Sequence, residues 1–101
     1  MKLLTKELTE QFNKIGHQKG ADPLIVAKFF NPCGAGTWYA TEYIPEEKLF
    51  FGYVSLFGDY NDEWGYFSLD ELEHVKLPYG LKIERDLYFV PTRASKVIKN
   101  V

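Results

Sequence analysis

The chain has 101 residues, 46% of them hydrophobic and 26% charged, which is the balance of a folded domain and excludes disorder along its whole length. Its net charge of −2, from 12 Lys and Arg against 14 Asp and Glu, lacks the basic excess of a phosphate-binding surface. Cys33 is the only cysteine, so no intramolecular disulfide can form, and no run approaches the ~20 apolar residues that span a bilayer. We therefore expect one domain over residues 1–101, in a reducing cytoplasm and without a membrane partner.

The first predicted element is an amphipathic helix near the N-terminus. Thr5 is a good N-cap residue, and Leu8 and Phe12 recur at helical spacing after it. Gly16 is the residue type that ends helices. This pattern predicts one helix that buries a single face.

Strands are predicted next, and they follow one another closely. Residues 24–30 are apolar at nearly every position, which indicates an inner strand covered on both faces. Residues 37–44 and 49–57 form two strands joined by a four-residue hairpin loop, and residues 63–67 form a further strand after a turn at 58–62. A largely antiparallel sheet is therefore expected.

Strict alternation from a pairing of Ile44 with Leu49 divides the hairpin into two faces. One face would carry Tyr39, Tyr43, Phe50, Val54 and Leu56, and the other would carry Trp38, Glu42, Phe51 and Tyr53. The same meander would place Trp64 and Tyr66 beside Leu56 and Val54. Because both faces then carry rings, we expect helices to cover part of each.

The C-terminal third begins with the strongest local signal in the chain. Ser68 and Glu71 form a capping box for a helix at residues 68–75, and Pro78 follows its end. Residues 83–90 are predicted as a last extended segment, followed by a short terminal helix that carries Val97, Ile98 and Val101. The fold class is α+β: one mainly antiparallel sheet of about four to five strands with three helices.

Several separated motifs resemble one known family. They are Lys-Leu-Leu-Thr at residues 2–5, Lys-Phe-Phe-Asn-Pro at 28–32, Thr-Trp-Tyr-Ala-Thr-Glu at 37–42, Phe-Phe-Gly at 50–52, Gly-Tyr-Phe-Ser-Leu-Asp-Glu-Leu at 65–72 and Gly-Leu-Lys-Ile-Glu-Arg-Asp at 80–86. Together they resemble domain of unknown function 2958, an uncharacterised family of small bacterial and phage proteins often carried on mobile elements. The resemblance implies a cytoplasmic mobile-element protein and transfers no catalytic residue.

Two charged residues are candidates for chemistry. Glu42 is expected among rings, where desolvation raises the pKa of a carboxyl and suits it to acid–base work. It would otherwise lie on a solvated strand edge or pair with a lysine such as Lys28. Arg85 is suited to bind a phosphate or carboxylate, although a structural ion pair with an acidic residue elsewhere is the favoured interpretation.

The thiol and imidazole groups offer less. Cys33 lies in a glycine-flanked loop with no companion motif, so a loop cysteine without a catalytic role is the favoured interpretation. His17 and His74 lack the close spacing of zinc ligands. No metal site and no cofactor are therefore expected.

The aromatic residues leave the function open. Phe29, Phe30, Phe50 and Phe67 are assigned to the core, whereas Trp38, Tyr53, Tyr60 and Trp64 are undecided between core and surface. Exposed Trp and Tyr rings bind protein partners or stack on unpaired bases. The favoured function is a non-enzymatic protein-binding accessory or anti-defence module with Trp38, Tyr53, Trp64, Glu42 and Arg85 as binding residues. The alternatives are a single-stranded nucleic-acid binder and a small enzyme.

Overall fold

The computed structural model describes residues 1–56 and 62–98. Most of the predicted turn at 58–62, the last residue of the predicted strand 49–57, Tyr60 and Val101 lie outside the described residues. The α+β class is confirmed. Its helices are α1 (Lys6–Ile15) and α2 (Leu69–His74), and its strands are β1 (Leu24–Ile25), β2 (Ala27–Phe30), β3 (Thr37–Ile44), β4 (Leu49–Ser55), β5 (Glu63–Ser68), β6 (Glu84–Arg85) and β7 (Thr92–Arg93).

Both helices begin at the predicted caps. The Thr5 hydroxyl accepts from the backbone N–H of Leu8 at 3.2 Å, and the Ser68 hydroxyl accepts from that of Glu71 at 3.2 Å. Each cap satisfies a donor that has no partner within the first turn of its helix. Gly16 ends α1 with a φ of 70°, which is a backbone conformation that glycine adopts at little cost.

The strands form two antiparallel sheets. The larger is five-stranded with the order β5-β4-β3-β2-β6, and the smaller pairs β1 with β7. The predicted strand at 24–30 is therefore divided at Val26, because β1 and β2 pair with different partners. β7 was not expected from the sequence.

The extended segment predicted near the C-terminus was too long. The extended segment at 83–90 is reduced to the two residues of β6, and a turn follows at 87–88. The predicted short C-terminal helix is observed as a 3-10 helix over Ala94–Lys96. These short elements are set by long-range pairing, since β6 pairs with β2 and β7 with β1.

The main core lies between the five-stranded sheet and both helices. Phe50 of β4 is at its centre, with ring centroids 5.8 Å from Phe12 of α1, 5.2 Å from Phe29 of β2 and 5.3 Å from Phe67 of β5. Leu69 and Leu72 bring α2 to the same cluster. Three of the four phenylalanines assigned to the core are buried, whereas Phe30 is half-buried.

A β-bulge at Thr41 corrects the predicted faces. Ile44 pairs with Leu49 as expected, but the register shifts between Ala40 and Glu42, so Thr41 has no partner in β4. Its buried hydroxyl instead donates to the carbonyl oxygen of Phe51 at 3.0 Å. An extra residue reverses the alternation beyond it.

Trp38 and Tyr39 have therefore exchanged the faces predicted for them. Trp38 pairs with Val54 and packs against the main core, and Tyr39 pairs with Tyr53 on the opposite side of the sheet. The faces predicted for Glu42, which pairs with Phe51, and for Tyr53 are confirmed.

The predicted register of β5 against β4 was wrong by three residues. Trp64 pairs with Tyr53 and Tyr66 pairs with Phe51, whereas Val54 pairs with Glu63. The side chains of Trp64 and Tyr66 therefore both face away from helices α1 and α2. Helices α1 and α2 contribute to the main core alone, and the outer face is covered in part by the C-terminal 3-10 helix, through Ala94.

Candidate functional site

Five rings lie together on the face of the sheet opposite the helices. This outer aromatic surface consists of Tyr39, Phe51, Tyr53, Trp64 and Tyr66. Phe51 stacks on Trp64 with centroids 6.1 Å apart and meets Tyr66 edge-on at 5.0 Å. Tyr53 meets Trp64 edge-on at 5.4 Å. Such pairs add about 0.5–1.5 kcal/mol each beyond their buried area, so the rings form a rigid array.

The outer aromatic surface is covered at one end and open at the other. Ile25, Ala94 and Ile98 form a second apolar cluster, against which Tyr39, Tyr53 and Trp64 pack. Tyr66 is not part of that cluster and remains 64% exposed. The open end is therefore the part that a partner can reach.

Two tyrosines of this surface have hydroxyls with raised pKa values. Burial raises the pKa of the Tyr39 hydroxyl, and the nearby Asp62 carboxylate and Tyr53 add to the shift. Burial likewise raises the pKa of Tyr53, with a further contribution from Asp62. Both hydroxyls are therefore neutral at physiological pH.

A cavity of about 410 Å³ lies on the helix side of the sheet, between α2 and the end of β4–β5. Its apolar wall includes Trp38, Val54 and Leu72. Gly65 leaves space beside this wall, because a Cβ added there would meet nothing within 4 Å. Pockets of about 300–1,000 Å³ that are mostly apolar are the usual places for small groups to bind.

The rim of this cavity is acidic. Asp62, Glu63 and Glu71 line it, and no lysine or arginine of residues 1–56 and 62–98 does so. Asp62 accepts a hydrogen bond from the Ser55 hydroxyl at 2.8 Å. The other two carboxylates have no ion pair within the described chain. An apolar cavity with this rim suits a group that carries positive charge.

Glu42 of β3 holds the segment that follows α1. Its carboxylate contacts His17 Nδ1 at 2.9 Å and accepts from the backbone N–H of Gln18 at 3.0 Å, and its side chain is only 17% exposed. The pairing predicted with Lys28 does not occur, since Lys28 lies 3.8 Å from Asp86. Both carboxylate oxygens of Glu42 are thus engaged within the chain.

The side chain of Gln18 adds further hydrogen bonds at the bulge, and Gln18 and Glu42 together are called the clamp. Its side-chain amide donates to the carbonyl oxygens of Leu24, at 2.9 Å, and Thr41, at 3.0 Å. Its side-chain oxygen accepts from the backbone N–H of Leu24 at 2.7 Å. The amide therefore ties β1 to the unpaired residue of β3, and Glu42 orients the backbone that carries it.

Arg85 and Glu42 lie on opposite faces of the sheet. Arg85 pairs with the buried Phe29 on the helix side, where its guanidinium donates to the Thr5 hydroxyl at 3.5 Å. Glu42 pairs with Phe51 on the outer side. The geometry therefore gives no support to a catalytic pair made of an acid–base carboxyl and an anion clamp.

The remaining candidates are dispersed. Cys33 is exposed, and its thiol lies 3.9 Å from the carbonyl oxygen of Pro78. Across residues 1–56 and 62–98, no three His, Cys, Asp or Glu side chains are grouped as metal ligands would be. In the same part of the chain, neither helix is long and apolar enough to cross a membrane.

The binding residues expected from the sequence thus separate into distinct places. Tyr53 and Trp64 share the outer aromatic surface, Trp38 lines the cavity, Glu42 belongs to the clamp and Arg85 contacts Thr5. The sequence interpretation missed Tyr66 as a surface residue. Its position two residues after Trp64 was the available signal, because i and i+2 share a face in a strand.

The comparisons with known proteins name a family. The model of the family described as "Protein of unknown function (DUF2958)" matches residues 2–99. The comparison with curated proteins returns no match, and the comparison with solved structures returns none either. Since the match covers nearly the whole sequence, the chain belongs to the DUF2958 family.

Proposed function

We propose that this protein is a non-enzymatic module that binds a protein partner through the open end of its outer aromatic surface. The observation that carries the proposal is Tyr66, a large ring left 64% exposed beside a rigid array of packed rings. Tyrosine and tryptophan dominate protein-binding hot spots, since they supply a large contact area with few rotatable bonds. Pre-packed rings lose little further entropy on binding.

The charges near this surface favour a protein over a nucleic acid. Lys28 lies on the same face but is paired with Asp86, and Glu42 adds a carboxylate beside Phe51. A phosphate backbone needs unpaired cations along its path. The stacked rings of Phe51 and Trp64 keep single-stranded nucleic acid as the second candidate function.

The expected partner and its cellular location are inferred from the family resemblance. A mobile element depends on proteins of its host, so a host protein in the cytoplasm is the partner we expect. An accessory or anti-defence role is the form of this proposal that fits a small binding module. These statements rest on the resemblance alone, whereas the binding surface rests on the exposed ring.

A pull-down with the tagged protein tests the proposal. Wild type should retain one partner in stoichiometric amount from a lysate of the source cells, and Tyr66→Ser should lose it. Tyr88→Ser is the matched control, because Tyr88 is 94% exposed and lies in another part of the chain. The proposal fails if no stoichiometric partner is retained or if Tyr66→Ser retains it as wild type does.

The second candidate has its own measurement. Titration with a fluorescently silent oligonucleotide should quench the fluorescence of Trp64, which lies on the outer aromatic surface. The fluorescence of Trp38 should not change, because Trp38 faces the helices. Trp38→Phe and Trp64→Phe variants assign the signal to one ring. The absence of quenching at low salt removes this candidate.

A further inference from the structure

We infer that the partner adds an extended peptide strand to the free edge of β5 and places an apolar side chain in the cavity beside Gly65. This inference rests on the proposed function, because it names how the partner is held. β5 is the terminal strand of the five-stranded sheet, and no strand of residues 1–56 or 62–98 pairs with its outer side. An unpaired edge is the template on which such peptides bind.

The hydrogen-bond pattern shows which backbone groups of β5 face outward. The N–H of Leu69 donates to the carbonyl oxygen of Lys48 at 3.0 Å, one step beyond the pairing of Leu49 with Ser68. Because hydrogen-bonded pairs alternate along an antiparallel ladder, Phe67, Gly65 and Glu63 bond to β4. The N–H and C=O groups of Trp64 and Tyr66 therefore face the open edge.

Three common forms of protection against strand addition are missing from this edge. Natural edge strands carry lysine, proline or a bulge that prevents pairing. β5 reads Glu-Trp-Gly-Tyr-Phe-Ser and pairs with β4 without a register shift, so it has none of these three, and its one charged residue, Glu63, is the first of the strand. Gly65 also lies at its middle, and a glycine inside a strand often marks close approach by another chain.

A strand added at this edge would contact both features described above. Alternate side chains of a strand point to opposite faces. One set would lie over the open end of the outer aromatic surface beside Trp64 and Tyr66. The other set would enter the cavity beside Gly65, where Trp38 and Leu72 form an apolar wall.

Charge identifies the chemistry of the peptide. Residues two positions before and after the apolar side chain would share its face and meet the carboxylates of Glu63 and Glu71 at the rim. Lysine or arginine at those positions would pair with them. The occupant is therefore an extended segment with an apolar residue and a basic residue at the second position before or after it.

A second copy of the chain fits this edge less well. Two β5 strands paired edge to edge would bring both cavity rims together, and each rim carries Asp62, Glu63 and Glu71. Like charges that face each other across paired strands are destabilising. This acidic rim is the reason to commit to a basic peptide.

The test begins with a phage-displayed library of random dodecapeptides selected on the wild-type protein. Enriched peptides should share an apolar residue with lysine or arginine at the second position on one or both sides. A synthetic peptide of the enriched sequence should change the fluorescence of Trp38, which lines the cavity. A failure to enrich any sequence, or enrichment without this spacing, overturns the inference.

Gly65→Val tests the site on the protein. A Cβ at Gly65 meets nothing within 4 Å, so we expect the fold to be kept while the added side chain reduces the cavity. We expect the synthetic peptide to bind at least tenfold more weakly. Gly34→Val is the matched control, since a Cβ at Gly34 also meets nothing within 4 Å, and should bind as wild type does. Equal binding by Gly65→Val overturns the inference.

N-methylation of the peptide tests strand pairing directly. Methyl groups on the alternate amides that face β5 should weaken binding at least tenfold, and methyl groups on the other amides should not. Equal effects overturn the inference. A wild-type dimer in analytical ultracentrifugation that Gly65→Val converts to a monomer would assign the edge to a second copy and overturn it as well.

The outcomes separate this inference from the proposed function. If the partner retained in the pull-down is lost with Tyr66→Ser and kept with Gly65→Val, the binding module stands and strand addition fails. If Tyr66→Ser keeps the partner, the proposed function itself fails. A partner lost with both variants, together with the peptide results above, supports both.

Discussion

Gly52→Ala is expected to be among the most destabilising single-methyl additions in this chain. A Cβ at residue 52 would lie 1.8 Å from the carbonyl oxygen of Tyr39, 2.8 Å from its carbonyl carbon and 3.0 Å from the Cα of Ala40. All three are backbone atoms of the strand beside the bulge, so no rotamer change relieves the contact. The strands must separate locally by roughly 1.5 Å to restore ordinary van der Waals distances.

The magnitude follows from the cost of overpacking. Inserting a methyl group into a well-packed site costs about 1–3 kcal/mol, and the upper end applies where backbone must move. We therefore expect the free energy of unfolding to fall by about 3 kcal/mol, or a Tm lower by roughly 12–24 °C for a domain of this size. Urea unfolding followed by circular dichroism measures this directly.

Gly65→Ala is the matched control, because Gly65 lies directly opposite Gly52 in the β4–β5 ladder. Its added Cβ meets nothing within 4 Å, so we expect stability within about 0.5 kcal/mol of wild type, or a gain of about 0.4–1 kcal/mol from a less flexible unfolded chain. A Gly52→Ala variant within about 0.5 kcal/mol of wild type would refute the packing argument. Equal losses for both variants would refute it too.

Three further variants test the clamp and the titrating groups. Gln18→Ala should lower the free energy of unfolding by about 1–3 kcal/mol, since it leaves three backbone groups without partners. Hydrogen bonds from Ser95 hold the pKa of Asp22 below its usual value, so the ionised carboxylate stabilises the fold. Asp22→Asn should therefore be less stable than wild type above pH ~4, and this difference should decrease as pH falls. Burial raises the pKa of Tyr39, so the neutral hydroxyl is the form that the fold favours. The stability of wild type relative to Tyr39→Phe should therefore decrease as pH rises above ~10. Urea midpoints at matched pH measure all three.

Each of these expectations has a contrary outcome. A Gln18→Ala variant as stable as wild type would mean that water replaces the amide. A difference between wild type and Asp22→Asn that stays constant from pH 7 to pH 2 would contradict the acid prediction. For Tyr39→Phe, a difference that grows above pH 10 would have the wrong sign.

Local signals were sufficient for the helices and the main hairpin. The caps at Thr5 and Ser68 act within one turn, so the residues that form them are close in sequence. β3 was predicted at its observed bounds, and Ile44 pairs with Leu49 because a short loop constrains the register next to it. These features depend on residues a few positions apart.

The candidate site depended on one residue that has no local signal. Thr41 is an ordinary strand residue, and its bulge is held by Gln18, which is 23 residues away in the chain. That bulge moved Trp38 into the cavity and Tyr39 onto the outer face. Of the predicted binding residues, only Tyr53 and Trp64 were brought together as one surface.

The sequence by itself determined the α+β class, both helix starts, the central hairpin and membership of a family without an assigned function. Only the tertiary structure decided which rings are exposed, that β5 has a free edge and that a cavity lies beside Gly65. The physical reason is the period of a strand. Because side chains alternate strictly, one extra residue held by distant hydrogen bonds reassigns the ring positions that lie beyond it.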